Sequence, residues 1–351
     1  MHVFVGLSGG VDSAVAAHLL IKARHQVEGI FVRIWQPEFT HCTMEADRLS
    51  AKRVAAHLGI PFHELDLSDA YRATVIQDLL DGYQKGETPN PDILCNQHIK
   101  FGALLNHVRE LGGEYLATGH YARVHHHENG SSLQRGIDST KDQTYFLARM
   151  SQNMLQHAQF PLGAMKKKEV RAIAQNINLP NAHRPDSQGL CFVGPVTMEE
   201  FLKQYITVAP GNVVDQEGNT IGAHHGAALY TIGQRHGFVV QATQPDGAPQ
   251  YIIATDVIKN TVTVAPTITA AERPILPLRN VSWLETPLEN EEITFQVRYR
   301  QSPQKGTIDL AKNTLTPHER QIAATGQTVV MYRDEVCLGA GTLDGAQSTH
   351  E

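Results

Sequence analysis

Cysteine is scarce in this sequence: the chain of 351 residues contains only Cys42, Cys95, Cys191 and Cys337. None of them belongs to a C-x-x-C pair, which argues against a disulfide framework and against a structural zinc site. We therefore assign no metal-ligating residues. Sparse cysteine is typical of proteins in a reducing compartment, so we predict a cytoplasmic location. Any cysteine that takes part in chemistry has to be identified individually.

Long apolar runs and an excess of basic residues are also missing. No run approaches the ~18 residues that a membrane-spanning helix needs, and residues 1–6 carry neither a basic segment nor a small-residue cleavage site. We therefore expect neither membrane insertion nor secretion. With 30 Lys and Arg against 36 Asp and Glu, the net charge is -6. This charge argues against a protein that coats nucleic acid indiscriminately, but a local basic patch can still bind a shaped partner.

Strand-like and helix-like segments alternate in the first third of the chain. Residues 3–7 and 27–32 are short β-rich runs, and between them apolar residues recur at helical spacing. A second unit combines a helix near 51–58 with a strand near 62–67, and a third leads from a helix at 96–111 into residues 115–119. This order predicts an α/β fold with a doubly wound parallel sheet, whose ligands bind beyond the carboxyl ends of its strands.

The pattern changes after about residue 200. Thr197 to Glu200 resembles a capping box, and beyond Pro210 short β-rich runs are separated by turns; the clearest strands cover 293–299 and 328–332. We predict a catalytic domain at 1–195 and a small linking domain at 196–270. For residues 271–351 the pattern allows an antiparallel barrel or sandwich, and we predict a β-barrel.

A glycine-rich loop lies between the first predicted strand and the first predicted helix. Its sequence is Ser8-Gly9-Gly10-Val11-Asp12-Ser13. Two glycines let the backbone approach an anion, and a helix N-terminus adds free N–H groups. The loop lacks the lysine of G-x-x-x-x-G-K-[ST] and does not match G-x-G-x-x-G. The alternative is a plain turn in which Ser13 or Asp12 caps the helix.

This loop resembles the SGGxDS pyrophosphate loop of ATP pyrophosphatases, which split ATP into AMP and pyrophosphate while adenylating a carbonyl oxygen. Without a Walker lysine, such a loop suits a leaving pyrophosphate bound with Mg²⁺. We therefore predict ATP and Mg²⁺ as cofactors, with cleavage between the α- and β-phosphates.

Two cysteines lie in polar segments framed by glycine or proline. Cys95 follows Asp92 in a stretch that Pro89 and Pro91 stiffen, so this carboxylate and thiol should lie close together. Cys191 follows His183 and Arg184, whose charge favours a thiolate. Either cysteine alone is more often a small buried hydrophobic residue. Together with an adenylation loop, the pair favours working thiols.

Two charged or polar clusters have simpler explanations. Residues 163–185 are rich in Lys and Arg, which is usual for a solvated helix face, although this run leads towards Cys191 and suits contacts with phosphate groups. The histidines at 125–127 alternate between the two faces of a predicted strand, so we expect an exposed hairpin end there and no metal site.

Ordered motifs along nearly the whole chain resemble those of the tRNA-specific 2-thiouridylase family. They are SGGVDS (8–13), NPDILCN (90–96), ATGHY (117–121), DSTKDQTYFL (138–147), GLCF (189–192), YTIGQR (230–235) and RYRQ (298–301). The resemblance implies a sulfurtransferase that makes 2-thiouridine at the wobble position of tRNA. Some thiolases hold an iron–sulfur cluster with three cysteines, but here His98 stands in the third place, which disfavours a cluster.

The same resemblance implies roles for individual residues. Cys191 carries a persulfide, Cys95 is the partner nucleophile and Asp92 is the acid/base. The implied ATP-site residues are Gly6, Leu7, Ser8, Gly9, Gly10, Val11, Asp12, Ser13, Val32 and Gly119. Those implied to contact the target base are Asn90, Pro91 and Asp92, and those implied to contact the rest of the tRNA are His120, Lys141, Asp142, Gln143, Arg298, Tyr299 and Gln327.

The implied partners are tRNA, with the glutamate, glutamine and lysine acceptors, and a cysteine desulfurase or sulfur-relay protein that supplies sulfur. Two other hypotheses use the same loop. In one, the protein is an ATP-dependent amide- or amidine-forming ligase without working cysteines. In the other, it binds tRNA by shape and uses a regulatory dithiol, and it forms no AMP.

Overall fold

The structure is a computed structural model that describes residues 1–39, 44–128, 130–186, 197–241 and 249–345. Cys191, to which the sequence assigns the persulfide, and the motif at 189–192 lie outside the described residues. Within the described ranges, no helix is long and apolar enough to cross a membrane.

The first region alternates strands and helices as predicted. Its strands are β1 (His2–Gly6), β2 (Gln26–Arg33), β3 (Phe62–Asp66), β4 (Tyr115–Ala117), β5 (Ala122–His127), β6 (Gly130–Arg135) and β7 (Ala158–Gln159). Its helices are α1 (Val11–Lys22), α2 (Met44–Leu58), α3 (Ser68–Tyr71), α4 (Gln77–Gln84), α5 (Pro91–Leu94), α6 (Leu105–Glu110), α7 (Thr144–Leu147), α8 (Gln152–Gln156) and α9 (Lys167–Asn176). A π-helical segment, Arg72–Ile76, joins α3 to α4, and another, Cys95–Leu104, joins α5 to α6.

One parallel sheet forms the centre of this region, in the strand order β3-β2-β1-β4-β7. Successive residues of β1 point to opposite faces: Phe4 belongs to one buried cluster, Val3 and Val5 to another. Because both faces are covered, the strand is a continuous apolar run. The prediction of a doubly wound parallel sheet is confirmed.

The helix that carries Cys95 begins earlier than the sequence predicted. We expected it near residue 96, whereas α5 begins at Pro91 and continues through the π-helical segment into α6. The side chain of Asn90 accepts hydrogen bonds from the backbone N–H groups of Asp92 (3.0 Å) and Ile93 (3.2 Å). An asparagine cap followed by proline at the first helical position is a strong start signal, which explains the difference.

The second region begins with α10 (Met198–Tyr205), and the capping box predicted for Thr197 and Glu200 is present. A sheet follows in the order β10-β9-β8-β12-β11. Its strands are β8 (Gly211–Val214), β9 (Thr220–His224), β10 (Phe238–Val240), β11 (Tyr251–Asp256) and β12 (Thr261–Ala265). Short 3₁₀ helices cover Ala227–Leu229 and Ile268–Ala271.

The third region is a closed antiparallel barrel, as predicted. Its strands are β13 (Glu272–Arg273), β14 (Leu276–Trp283), β15 (Glu292–Gln296), β16 (Gln304–Asp309), β17 (Thr314–Pro317), β18 (Gln321–Ile322), β19 (Thr328–Arg333) and β20 (Val336–Leu343). The order β14-β17-β16-β15-β19-β20 closes because β14 also pairs with β20. The strand predicted at 293–299 ends at Gln296, and the turn that follows has Arg300 at φ +62°.

A hairpin of the first region extends the sheet of the barrel. Strands β5 and β6 pair with each other, and β6 pairs with β20 through Gln134–Val336 and Leu133–Cys337. The histidines at 125–127 lie at the exposed end of this hairpin, as expected. The sequence did not predict the pairing with β20, because alternation shows which faces of a strand are buried and not which strand lies beside it.

Candidate nucleotide and thiol site

The glycine-rich loop leaves β1 between β2 and β4, where the strand order of the sheet reverses and where parallel sheets bind ligands. Gly9 has φ +77°, and a Cβ atom there would lie 2.5 Å from the carbonyl oxygen of Asp47. At the end of β4, a Cβ on Gly119 would lie 2.7 Å from the backbone nitrogen of Ser13. Both positions therefore require glycine, and the backbone here is packed as closely as a phosphate cradle demands.

The N-terminus of α1 has no side-chain cap. Its N-cap residue is Gly10, and neither Asp12 nor Ser13 caps the helix. The Ser13 hydroxyl donates to the carbonyl oxygen of Gly10 (3.2 Å) and accepts from the backbone N–H of Ser8 (3.2 Å). The plain capped turn that the sequence allowed is therefore wrong. An uncapped helix start beside two serine hydroxyls fits a phosphate group.

A small pocket adjoins this loop. It is lined by Ser8, Phe31, Val32, Ile34, Gln36, Met44 and Asp47. Val32, which the sequence assigned to the ATP site, thus lies on the same pocket as Ser8 of the loop.

Charged side chains surround the start of α1. The Lys167 ammonium lies 2.7 and 2.8 Å from the two carboxylate oxygens of Asp12, and 2.8 Å from Asp186. The hydroxyl of Tyr121 donates to Asp12 (2.9 Å). Asp186 also pairs with Lys141 (2.9 Å) and with Arg171. Asp138 accepts from the backbone N–H of Lys167 (2.9 Å), so three carboxylates lie among these three cations.

Asp186 is held ionised by its cationic partners. Burial favours the neutral acid, but hydrogen bonds from Lys141 and Lys167 outweigh it, and the pKa of Asp186 lies well below its ordinary value. The same surroundings, burial first and Asp12 next, raise the pKa of Tyr121. Tyr121 therefore acts as a neutral hydrogen-bond donor to Asp12.

Part of the basic run at 163–185 faces inward. Lys167 binds Asp12, and Arg184 donates to the carbonyl oxygen of Gly9 (3.2 Å), whereas Lys166 and Lys168 are exposed. Sequence reasoning missed Lys167 as a neighbour of the phosphate loop. Its sequence signal, a lysine at the start of a helix, does not show that α9 packs against α1.

Asp92 and Cys95 lie on one helical turn rather than in a loop. They are three residues apart, so both project from the same side of the helix. Cys95 is fully buried in an apolar cluster with Tyr71 and Ile99, whereas Asp92 is half-buried. The predicted closeness of the carboxylate and the thiol agrees with this arrangement. The predicted meeting of Cys95 with Cys191 stays a prediction.

The segment Lys141, Asp142 and Gln143 is tied to the catalytic region. Asp142 accepts from the guanidinium of Arg135 (2.9 Å), and the side-chain oxygen of Gln143 accepts from the backbone N–H of Tyr121 (3.0 Å). His120 is buried, and burial lowers its pKa well below the ordinary value. These residues lie beside the phosphate loop, but their contacts with tRNA stay a prediction.

The remaining predicted tRNA contacts belong to the barrel. Arg298 is exposed, and Gln327 accepts from the backbone N–H of Ala324 (2.8 Å). The ring of Tyr299 lies 4.4 Å from that of Phe146, whose carbonyl oxygen accepts from Asn96 (3.3 Å). Through these contacts the barrel reaches the residue next to Cys95, so the structure brings Tyr299 near the thiol helix.

Family models match the three regions in order. Residues 1–195 match "tRNA methyl transferase HUP domain", residues 199–266 "tRNA methyl transferase PRC-barrel domain" and residues 273–343 "Aminomethyltransferase beta-barrel domain". A parallel sheet with a glycine-rich loop at the reversal of strand order thus defines a nucleotide-binding domain of the HUP class. This match supports the predicted use of ATP.

Full-length relatives identify the family. The chain is 42% identical over 360 residues to "tRNA-specific 2-thiouridylase MnmA" of Halorhodospira halophila, covering 98% of this chain and 93% of the relative. It is 39% identical over 356 residues to the protein of the same name from Bacillus subtilis, covering 97% and 94%. The chain belongs to the tRNA-specific 2-thiouridylase family, an enzyme family, as the motifs predicted.

Solved structures resemble the chain only distantly. One is "U34-tRNA thiolase NcsA from Methanococcus maripaludis", solved with its 4Fe-4S cluster. It has 20% sequence identity and a TM-score of 0.36, and the match covers 54% of this chain and 60% of that one. A score this low supports no conclusion about this protein.

Proposed function

We propose that the protein is an ATP-dependent tRNA-uridine 2-sulfurtransferase that thiolates the wobble uridine. The observation that carries the proposal is the uncapped, glycine-built start of α1, which lies in the same domain as the helix bearing Asp92 and Cys95. Membership of the 2-thiouridylase family supports the reaction class. The residue ranges 1–195, 196–270 and 271–351 remain our proposed domain limits.

Adenylation comes first in the proposed reaction. The loop residues 6–13, with Val32 and Gly119, hold ATP together with Mg²⁺, and ATP supplies the AMP group that makes the uracil C2 oxygen a good leaving group. Backbone N–H groups at the start of α1 stabilise the phosphate charge. Lys167 neutralises Asp12, which would otherwise repel that charge.

Sulfur transfer follows. The outer sulfur of a Cys191 persulfide attacks C2 of the activated uracil, and AMP leaves. The Cys95 thiolate then attacks the Cys191 sulfur, which frees 2-thiouridine and leaves a Cys95–Cys191 disulfide for an external reductant to reset. Asp92, one helical turn from Cys95, serves as the acid/base. A disulfide needs Cα atoms within about 7 Å, and we propose that tRNA binding moves one of the two cysteine-bearing segments before that bond forms.

Binding of the tRNA is assigned to groups from two regions. Asn90, Pro91 and Asp92 contact the flipped base. The rest of the tRNA is contacted by His120, Lys141, Asp142, Gln143, Arg298, Tyr299 and Gln327. We propose the glutamate, glutamine and lysine tRNAs as substrates and a cysteine desulfurase or sulfur-relay protein as the sulfur donor.

Mass spectrometry of tRNA tests the proposal. After incubation with ATP, Mg²⁺ and a persulfide donor, sulfur should replace one oxygen at the wobble uridine, with AMP and pyrophosphate as the nucleotide products. Tandem mass spectra that show a methyl group in place of sulfur, or tRNA-dependent formation of ADP and phosphate, would contradict it.

Cysteine variants separate the proposal from its alternatives. In a single turnover, Cys191→Ser should form no 2-thiouridine, whereas Cys42→Ser should behave as wild type. A ligase with the same loop would not respond to Cys191→Ser, and a regulatory tRNA-binding protein would form no AMP.

A further inference from the structure

The sequence motif at 230–235 has no role in the reaction described above, yet it lines a cavity of about 160 Å³ where the three regions meet. The first region contributes Gly86 and Thr88 to the lining, the second Tyr230, Thr231, Ile232, Ile253, Ala254 and Thr255, and the third Arg273, Ala324 and Thr325. Ala254 is exposed, so the cavity opens to solvent on that side.

Contacts between the regions hold the walls of this cavity in place. The backbone N–H of Thr88 donates to the carbonyl oxygen of Thr325 (2.8 Å), and the hydroxyls of Thr88 and Thr231 lie 3.4 Å apart. Gly326 has φ +86°, and a Cβ there would lie 2.6 Å from the Cβ of Glu87. The three regions therefore meet through close backbone packing, and the cavity is preformed.

Arg273 is the cation among the described residues that line the cavity, and none of the described carboxylates forms an ion pair with it. It is half-buried and donates to the carbonyl oxygen of Asp344 (3.1 Å) and to the hydroxyl of Thr325 (3.3 Å), both neutral acceptors. Among the described residues it forms no ion pair, whereas nearby Arg279 pairs with Glu87 at 2.6 Å. A partly desolvated charge without a counterion is costly, so it favours an anionic ligand.

The rest of the lining suits an oxyanion. Threonines at 88, 231, 255 and 325 line the cavity. Threonine hydroxyls, together with a guanidinium, are usual partners of phosphate oxygens. The cavity is large enough for a single phosphate group. We propose that it binds one backbone phosphate of the tRNA, an inference that rests on the proposed tRNA substrate.

Binding measurements with Arg273→Met test the proposal. The affinity of the full chain for tRNA should fall about tenfold, and the slope of log Kd against log salt concentration should decrease by about one. Arg320→Met is the matched control, since Arg320 is an exposed arginine of the same barrel; it should change neither quantity by as much. Arg273→Lys keeps the charge and should retain most of the salt slope.

Ethylation of tRNA phosphates identifies the source of the anion. One ethylated phosphate should weaken binding to the wild type and to Arg320→Met but not to Arg273→Met. If inorganic phosphate stabilises the wild type and not Arg273→Met while tRNA binding stays equal, the site binds a free ion and the tRNA assignment is wrong.

Equal affinities and equal salt slopes in folded wild type and Arg273→Met would also overturn the inference. Failure of the proposed function looks different, because wild-type protein would then leave tRNA unbound or unmodified before any variant is compared.

Discussion

Two helices of the catalytic region, α1 and α5, differ in how their N-termini are capped. Helix α1 starts at Gly10, which has no side chain to cap it, whereas α5 starts at Asn90, whose side chain accepts from two backbone N–H groups. The first start leaves its donors for a ligand, and the second uses them internally. The difference teaches that a helix N-terminus can serve either as a binding site, when it is uncapped, or as a rigid support for Asp92 and Cys95, when a side chain caps it.

The surroundings of the two starts differ as well. Charged groups crowd α1, where Asp12 and Lys167 meet, whereas Cys95 at the end of α5 is enclosed by apolar side chains. Gly119 packs against α1. The ring of its neighbour His120 lies 6.3 Å from the ring of Phe101, which belongs to the π-helical segment that follows α5. The end of β4 therefore links the two sites.

The largest effect is expected for substitution of Cys95, whose thiol lies on the helix that begins with α5. Cys95→Ser should accept sulfur from a persulfide donor yet release no 2-thiouridine, because serine cannot attack the disulfide sulfur. Product formation is measured by mass spectrometry of the tRNA.

Cys337→Ser is the control for that variant, since Cys337 is also fully buried and burial raises its pKa to about 12. It should lower stability by about 1–3 kcal/mol and leave turnover of folded protein unchanged. Full turnover in Cys95→Ser would exclude Cys95 from the proposed reaction.

The next largest effect concerns the shape of the phosphate loop. Gly9→Ala should slow pyrophosphate release about 100-fold, because the added methyl group meets the carbonyl oxygen of Asp47 and displaces the loop. Gly112→Ala is the matched control, with φ +82° and no neighbouring heavy atom within 4 Å. It should cost about 1 kcal/mol of stability and no activity. Similar activities for both variants would show that α1 does not need its close backbone packing.

A smaller effect is expected for substitution of Lys167, the cation beside α1. Lys167→Met should raise the KM for ATP about tenfold, since Asp12 would then face the phosphates without its partner. The Kd for tRNA should change little. Lys52→Met, at an exposed position of α2, is the control. A loss of tRNA affinity with an unchanged KM for ATP would instead place Lys167 on the tRNA surface.

The Asn90 side chain, which caps α5, is expected to contribute about 1 kcal/mol to stability. Asn90→Ala should lose that amount in chemical denaturation, and Asn90→Ser should retain most of it because serine also caps helices. If Asn90→Ser folds as stably as wild type but binds tRNA more weakly, the side chain has a second role at the target base. An Ala variant as stable as wild type would contradict the capping role.

The smallest effect is a pH dependence of stability that we expect from His120, which follows the end of β4. Burial holds the pKa of His120 below its ordinary value, so its contribution to stability is complete above about pH 6.5 and is lost as the pH falls towards the folded-state pKa. The free energy of unfolding should therefore decrease between pH 7 and pH 6.

Denaturation of His120→Gln at both pH values should lack that decrease, whereas His127→Gln, at an exposed position, should retain it. An unchanged decrease in His120→Gln would show that other groups cause it.

Local chemistry was readable from the sequence by itself. The periodicities at 3–7 and 27–32 predicted β1 and β2, and the glycine pair predicted a close-packed loop before α1. The asparagine and proline before Asp92 also held a helix start that the sequence reasoning placed about five residues too late. Such features depend on residues within one turn or one strand, so their causes lie close together in the chain.

Only the tertiary structure decided which distant groups meet. It brought Lys167 to Asp12 across 155 residues, joined β6 to β20, and placed Arg273 at a cavity shared by three regions. Charge and alternation mark a side chain as polar or buried, but they carry no information about its partner. The partner depends on how α9 packs on α1 and how the barrel closes, because the free energy of those contacts arises only when separate segments assemble.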